Sequence, residues 1–266
     1  MPILSLADAD IYYEVHGNGP PLCLVAGLAS DSQSWLPIIG ELAADYRTIL
    51  FDNRGAGRTR CSEETITIPN IANDCLALFD HLGLPSVSLL GHSMGGFIAQ
   101  EFALSYPDRL HSLILVATSP CNSKRNNQLF ADWASSFKNL RNASEIQAWF
   151  RNLFFWILSP SFFNHPQAVD QAVQAAIEYP YPQTPSAFAK QVEAIAAFDR
   201  THDLHRFHVR TLLLNGQNDS VFPQGTWSDI LPPNVLSSQI DNAAHAVHLE
   251  NPNDFVSCVK DFLSAS

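Results

Sequence analysis

The chain is expected to form an α/β fold with a mainly parallel sheet covered on both faces. Three observations carry that expectation. Short apolar runs recur along the sequence, helical-length segments separate most of them, and 266 residues with 46% hydrophobic content suffice to bury one sizeable core.

The strand-like runs fall at 11–15 (IYYEV), 22–26 (LCLVA), 47–51 (RTILF), 86–90 (SVSLL), 112–117 (SLILVA), 210–214 (RTLLL) and 235–240 (VLSSQI). Residues 69–82 open with Pro69, carry apolar side chains at 71, 75, 78, 79 and 82, and close at Gly83, the start and stop signals of an amphipathic helix. A second helical pattern, FIAQEFALSYP, follows the run at 86–90. The alternation breaks over 118–208, where the pattern is helical and aromatic, so this segment reads as an insertion of helices into the order of strands. The expected division is therefore a core of 1–117 and 209–266 with an insertion of 118–208.

Charge and cysteine usage exclude several classes. With 15 basic and 26 acidic residues the formal net charge is −11, which repels phosphate backbones and anionic headgroups, so neither nucleic acid nor membrane is expected as a partner. The insertion holds eight of the basic residues against seven acids, leaving most of the negative charge on the remainder. Five widely spaced cysteines form no disulfide pattern, and MPILSLADAD lacks the features of a signal peptide. A cytoplasmic protein is expected.

GHSMG at 91–95 is a G-x-S-x-G motif, preceded by a strand pattern and followed by a helix pattern. A strand turning abruptly into a helix leaves no room for side chains at the corner, hence glycine on both sides, and it lifts Ser93 off the strand end. A serine nucleophile needs a base, normally histidine, oriented by a carboxylate. The loop NGQNDSVFP after the run at 210–214 supplies Asp219, and DNAAHAVHLENP after the run at 235–240 supplies His245. His248 and Asp241 are the alternatives for base and acid. His248 falls where the next helix begins, and Asp219 lies on the loop that follows the preceding strand. For the oxyanion hole, the backbone N–H groups of Met94, after the serine, and of Leu28, in LVAGLASDSQSW, are the candidates. His202, His205 and His208 have a suggestive spacing but no matching cluster of ligands, so no metal is assigned.

The segments LVAGLASDSQSW, YRTILFDNRGAGRT, GHSMGG, NGQNDSVFP and AHAVHLENP together resemble the α/β-hydrolase superfamily. Within it, the chain is similar to the 3-oxoadipate enol-lactonase and aminoacrylate hydrolase branch and to small carboxylesterases. The resemblance implies an α/β-hydrolase fold, a sheet of about eight strands and a helical lid over the active site. It also implies ester or lactone hydrolysis on a Ser93–Asp219–His245 triad without cofactor or metal. Amide, carbamate or carbon–carbon hydrolysis and perhydrolysis are open to the same triad, and a small-molecule receptor retaining the triad is a reading from another class. The chain departs from the family's common patterns in having Ala26-Gly27 at the oxyanion loop and Arg54-Gly55-Ala56-Gly57 at a turn usually written Arg-Gly-His-Gly. Arg54 reads as a structural turn residue.

Lining candidates are His92, next to the serine, and Trp149, Phe150, Leu153, Phe154 and Trp156 in the insertion. Arg151 is a candidate partner for a substrate carboxylate. The expected partner is a compact ester or lactone with an apolar part.

Overall fold

Strands that are apolar along their whole length are buried on both faces, and the central strands follow this rule. The computed structural model of the chain describes residues 2–223, 225, 231, 232 and 234–265. Among these, nine strands form one sheet: β1 (Ile3–Ser5), β2 (Ala9–His16), β3 (Pro21–Val25), β4 (Arg47–Phe51), β5 (Arg60–Cys61), β6 (Val87–His92), β7 (Leu110–Val116), β8 (Arg210–Gly216) and β9 (Val235–Ile240). The order is β1-β2-β4-β3-β6-β7-β8-β9, with β5 paired to β2. From β4 to β9 neighbours run parallel, and β1, β2 and β5 pair antiparallel at one edge.

Side chains two apart share a face, so each central strand feeds two cores. Cys23, Val25, Leu89, Leu113 and Leu115 point to one, packed against α2 (Ile68–His81) and α3 (Met94–Ser105). Leu22, Leu24, Leu90, Ile114 and Val116 point to the other, which α1 (Leu36–Ala43) and α9 (Pro252–Ser264) cover. The sequence missed β1 and β5, three and two residues long, because short edge strands carry too little pattern to read.

Helix ends obey local chemistry. Thr67 accepts from Asn70 N–H at 3.2 Å at the start of α2, with Pro69 in its first turn, and Gly83 follows the helix at φ +66°. Between β7 and β8 come only helices: α4 (Lys124–Lys138), α5 (Ala143–Ile157), α6 (Pro166–Ile177), α7 (Pro185–Ala196) and short 3-10 turns. Ser123, Asn142 and Thr184 cap α4, α5 and α7. The two ends of this helical segment meet, where Cys121 pairs with Asp199 in an isolated β-bridge and Arg200 N–H donates to Pro120 O at 2.8 Å. A four-residue helix α8 (Val247–Glu250) precedes α9.

Gly95 sits where α3 crosses β3: a Cβ there would lie 2.1 Å from Val25 O and 2.8 Å from Ala26 O. Both are backbone atoms of a buried strand end, so neither yields easily. Gly95→Ala is expected to destabilise by about 3 kcal/mol or more, at the upper end of single substitutions. Urea unfolding checks this; a variant within about 0.5 kcal/mol of wild type would show that the crossing has slack.

Candidate active site

Ser93 is forced into its position. It has φ 55° and ψ −117°, a left-handed backbone that a non-glycine residue holds only under constraint, at a cost of about 1–3 kcal/mol. Three hydrogen bonds hold it: Ser93 N–H donates to Val116 O at 2.9 Å, Thr118 Oγ1 donates to Ser93 O at 2.9 Å, and Gly96 N–H donates to Ser93 O at 2.8 Å. The glycines around it answer to space. A Cβ on Gly91 would lie 2.1 Å from Gly95 O, and one on Gly96 would lie 2.5 Å from Thr118 Cγ2. The serine consequently stands at the junction of β6 and α3.

The loop after β8 brings Asp219 to the same end of the sheet, and the loop after β9 brings His245. His245 Nδ1 lies 3.1 Å from Asp219 Oδ2. The other carboxylate oxygen, Oδ1, accepts from Val221 N–H at 2.8 Å and Phe222 N–H at 2.9 Å. Burial raises the Asp219 carboxyl, but the His245 imidazole and these two amides outweigh it, so its pKa is held below the ordinary value. This network fixes His245 as the tautomer with hydrogen on Nδ1, leaving Nε2 as acceptor. Asp241 is exposed, and its carbonyl accepts from Asn251.

His92 Nε2 donates to the backbone carbonyl of His245 at 2.8 Å, so it steadies the histidine loop from below. Burial, followed by the neighbouring His245 ring, pushes the His92 pKa down to about 3. His248 lies 4.9 Å from the His92 ring and 4.5 Å from Trp35, centroid to centroid. It is buried, its pKa is lowered well below the usual value chiefly by that burial, and neither ring nitrogen has a partner among the described residues.

Ser93, His92, His245 and His248 open into one cavity of about 210 Å³. Leu28 lines it, and a Cβ on the preceding Gly27 would lie 3.1 Å from Ser93 Cβ, so the Leu28 backbone passes close to the serine. Met94 is the first residue of α3, whose leading N–H groups have no acceptor within the helix. Asn53 Nδ2 donates to Ala26 O at 2.9 Å and anchors the Leu28 loop.

Phe150, Leu153 and Phe154 line the cavity, and Trp149 lines a second chamber beside it. Trp156 lines neither; its ring lies 4.7 Å from the Arg125 guanidinium. Arg151 is turned outward and pairs with Asp170 at 2.7 Å. Arg54 is buried in ion pairs with Asp8 and Asp74, at 2.6 and 2.7 Å. Sequence reasoning missed Phe130 and Trp133, which line the cavity from one face of α4 at i, i+3 spacing, and Val221, two residues past Asp219. The α4 pattern could have been read as a second pocket wall, but it is equally that of an ordinary packed helix.

The model of the alpha/beta hydrolase fold family matches residues 20–252. The chain belongs to the α/β-hydrolase family. It is 30% identical over 268 residues to a protein of Azorhizobium caulinodans provisionally named carbamate hydrolase RutD, covering 96% of this chain and 95% of that one. It is 29% identical over 258 residues to the pimeloyl-[acyl-carrier protein] methyl ester esterase of Aeromonas hydrophila subsp. hydrophila, covering 94% and 98%. Among solved structures, a malate-bound thermophilic esterase from Thermogutta terrifontis superposes with a TM-score of 0.85 at 26% identity, covering 99% and 98%. The chain is a hydrolase of this family. Among the described residues, no group of three potential ligands is arranged to hold a metal, and no helix is long and apolar enough to cross a membrane.

The two buried imidazoles make stability depend on acid. His92 titrates near 6.5 when unfolded and at about 3 when folded, and His248 is shifted the same way. The unfolded chain therefore binds more protons below pH 6.5, and their contribution, complete above that pH, is lost as pH falls toward 3. Melting temperature is expected to drop steadily between pH 7 and pH 5, and less steeply in His248→Phe. Equal slopes would show that His248 is not held neutral.

Proposed function

We propose that this hydrolase cleaves a small carboxylic ester or lactone through an acyl-enzyme, with Ser93 as nucleophile, His245 as base and Asp219 as orienting acid. The observation that carries the reading is that Ser93, held on a strained corner, shares one cavity with a histidine whose Nδ1 is bound by a buried carboxylate.

In the proposed sequence, Ser93 Oγ attacks the carbonyl carbon and its proton passes to His245 Nε2. The carbonyl becomes an oxyanion, stabilised by the Leu28 and Met94 N–H groups. The ester C–O bond then breaks, and the leaving oxygen takes the proton from His245. Water, deprotonated by His245, attacks the acyl-enzyme, and Ser93 leaves with the proton as the acid product departs. Asp219 stays ionised throughout and stabilises the imidazolium.

Residues 118–208 act in this reading as a cap over the core. Support comes from their hydrogen bonds to the loops that carry the acid and the base. Asn126 Nδ2 donates to Val221 O at 2.7 Å, and Ala246 N–H donates to Ile157 O at 2.9 Å. A carbamate is the second reading, favoured by the name given to the Azorhizobium relative.

Ser93→Ala is expected to abolish ester hydrolysis while leaving the melting temperature near wild type. His245→Ala and Asp219→Asn should each lower kcat by about 10⁴-fold, with His248→Ala and Asp241→Asn costing far less. Assays of all five variants on a short-chain ester, a lactone and an aryl carbamate check both roles and substrate. Wild-type turnover by Ser93→Ala would remove the nucleophile assignment, and the reverse ranking at either pair would move the base or the acid.

A further inference from the structure

The catalytic cavity does not end at the nucleophile. A second chamber of about 220 Å³ lies against it, and Ala29, Ser30, Ser34, Phe150 and Ala176 line both spaces. The two therefore meet at this set of residues, and Phe150 is the large side chain among them. Apolar cavities of ~150 Å³ hold a benzene molecule, so each chamber has room for a ring or a short chain.

The second chamber is apolar along Phe137, Trp149 and Phe188 and polar at one end, where Asp31 stands. Asp31 is 6% exposed. Its Oδ1 accepts from Gln33 N–H at 2.9 Å, and its Oδ2 accepts from the Tyr179 hydroxyl of the insertion. Both oxygens accept, as in a carboxylate, and each retains a lone pair for a further donor. Among the described residues, no Lys or Arg lines either chamber. The nearby Arg58 donates to Asp52 from Nε at 3.0 Å and from its backbone N–H at 2.7 Å, and to Ser32 Oγ at 2.6 Å. Burial pushes the Asp31 carboxyl above its usual range, against the Tyr179 hydroxyl and the Arg58 charge, which favour its ionised form. The small side chain of Ala56 forms part of this chamber's wall and leaves its volume open.

We infer that the substrate is an uncharged, two-part ester: one part lies over Ser93, and the other passes Phe150 into the Asp31 chamber, where a terminal hydroxyl or amide donates to Asp31. This rests on the proposed role of Ser93. A carboxylate at that terminus meets the Asp31 carboxyl at close range, and no Lys or Arg lines the chamber to pair with it. Like charges so placed are strongly disfavoured. The chamber thus selects against acidic substrates, and Phe150 and Ala56 set the size of what enters.

The test uses wild-type enzyme and matched esters carrying a tail on the acyl or the alcohol side, ending in hydroxymethyl or in carboxylate. In at least one series, kcat/KM is expected to be at least about tenfold lower for the carboxylate. Ala56→Phe should reduce the ratio of kcat/KM for long over short tails by about tenfold in that same series, with melting temperature reporting the fold. Phe150→Ala should raise that ratio for branched tails and serves as the deciding variant if Ala56→Phe does not fold. Carboxylate tails turned over as well as hydroxymethyl tails in both series, or tail ratios unmoved in folded variants, would overturn the inference. A fluorophosphonate probe separates the two levels. Ser93 labelled in an enzyme indifferent to tail charge and size rejects the chamber alone, whereas no labelling at Ser93 rejects the nucleophile itself.

Discussion

The site depends on one steric constraint, the corner at which β6 becomes α3. Three chain segments converge there within backbone contact: the end of β3 at Val25 and Ala26, the turn through Ser93, and Thr118 at the exit of β7. Only glycine fits at 91, 95 and 96. The strain on Ser93 is held by two hydrogen bonds with the end of β7, at Val116 and Thr118, and by one from Gly96 of its own helix, so the serine's position depends on the neighbouring strand of the parallel sheet. Since β3, β6 and β7 are adjacent and parallel, their carboxyl ends arrive at the same level. The loops after β8 and β9 reach that level too, which is why an acid and a histidine far along the chain meet there.

Three imidazoles lie together around the cavity that Ser93 lines, and burial decides the state of two of them. His92 is kept neutral and uses its Nε2–H on the His245 carbonyl. His248 is neutral for the same reason, wedged between Trp35 and His92. Of the three, His245 alone has a carboxylate against its ring. An imidazolium is stabilised by that partner, whereas a charge on either neighbour would have none. Burial therefore keeps His92 and His248 neutral, while His245 has a carboxylate behind its ring.

The turn Asp52–Arg58 ties the pieces to one another. Asp52 accepts from Ser32 N–H at 3.0 Å and from Arg58, fixing the loop that follows β3. Asn53 holds Ala26, and Arg54 is locked by Asp8 and Asp74. The insertion docks on the same turn: Gln191 Nε2 donates to Arg54 O at 2.8 Å and Gln183 Nε2 to Gly55 O at 2.7 Å. A change of side chain at 56 is thereby felt in the chamber, because the frame's contacts use the side chains of Asp52, Asn53, Arg54 and Arg58 and the carbonyls of Arg54 and Gly55, not the Ala56 side chain.

The central strands and the G-x-S-x-G corner were legible in the sequence because each is dictated locally: continuous apolar runs for doubly covered strands, and glycines where no side chain fits. Strand ends are countable, so the sequence places Asp219 and His245 on successive strand-end loops, and the structure brings the two side chains to 3.1 Å. The edge strands β1 and β5 were not, since a few half-exposed residues carry no period. The pocket walls were legible only in part. Phe150, Leu153 and Phe154 fell on the expected helix, but its aromatic stripe alone does not say which rings face the cavity, and packing turned Trp149 to the second chamber and Trp156 toward Arg125. The walls supplied by Phe130 and Trp133, the Asp31–Tyr179 contact and the neutral state of His248 depend on residues far apart in sequence being brought together and dried. Helix orientation and burial are properties of the packed whole, so only the tertiary structure decided them.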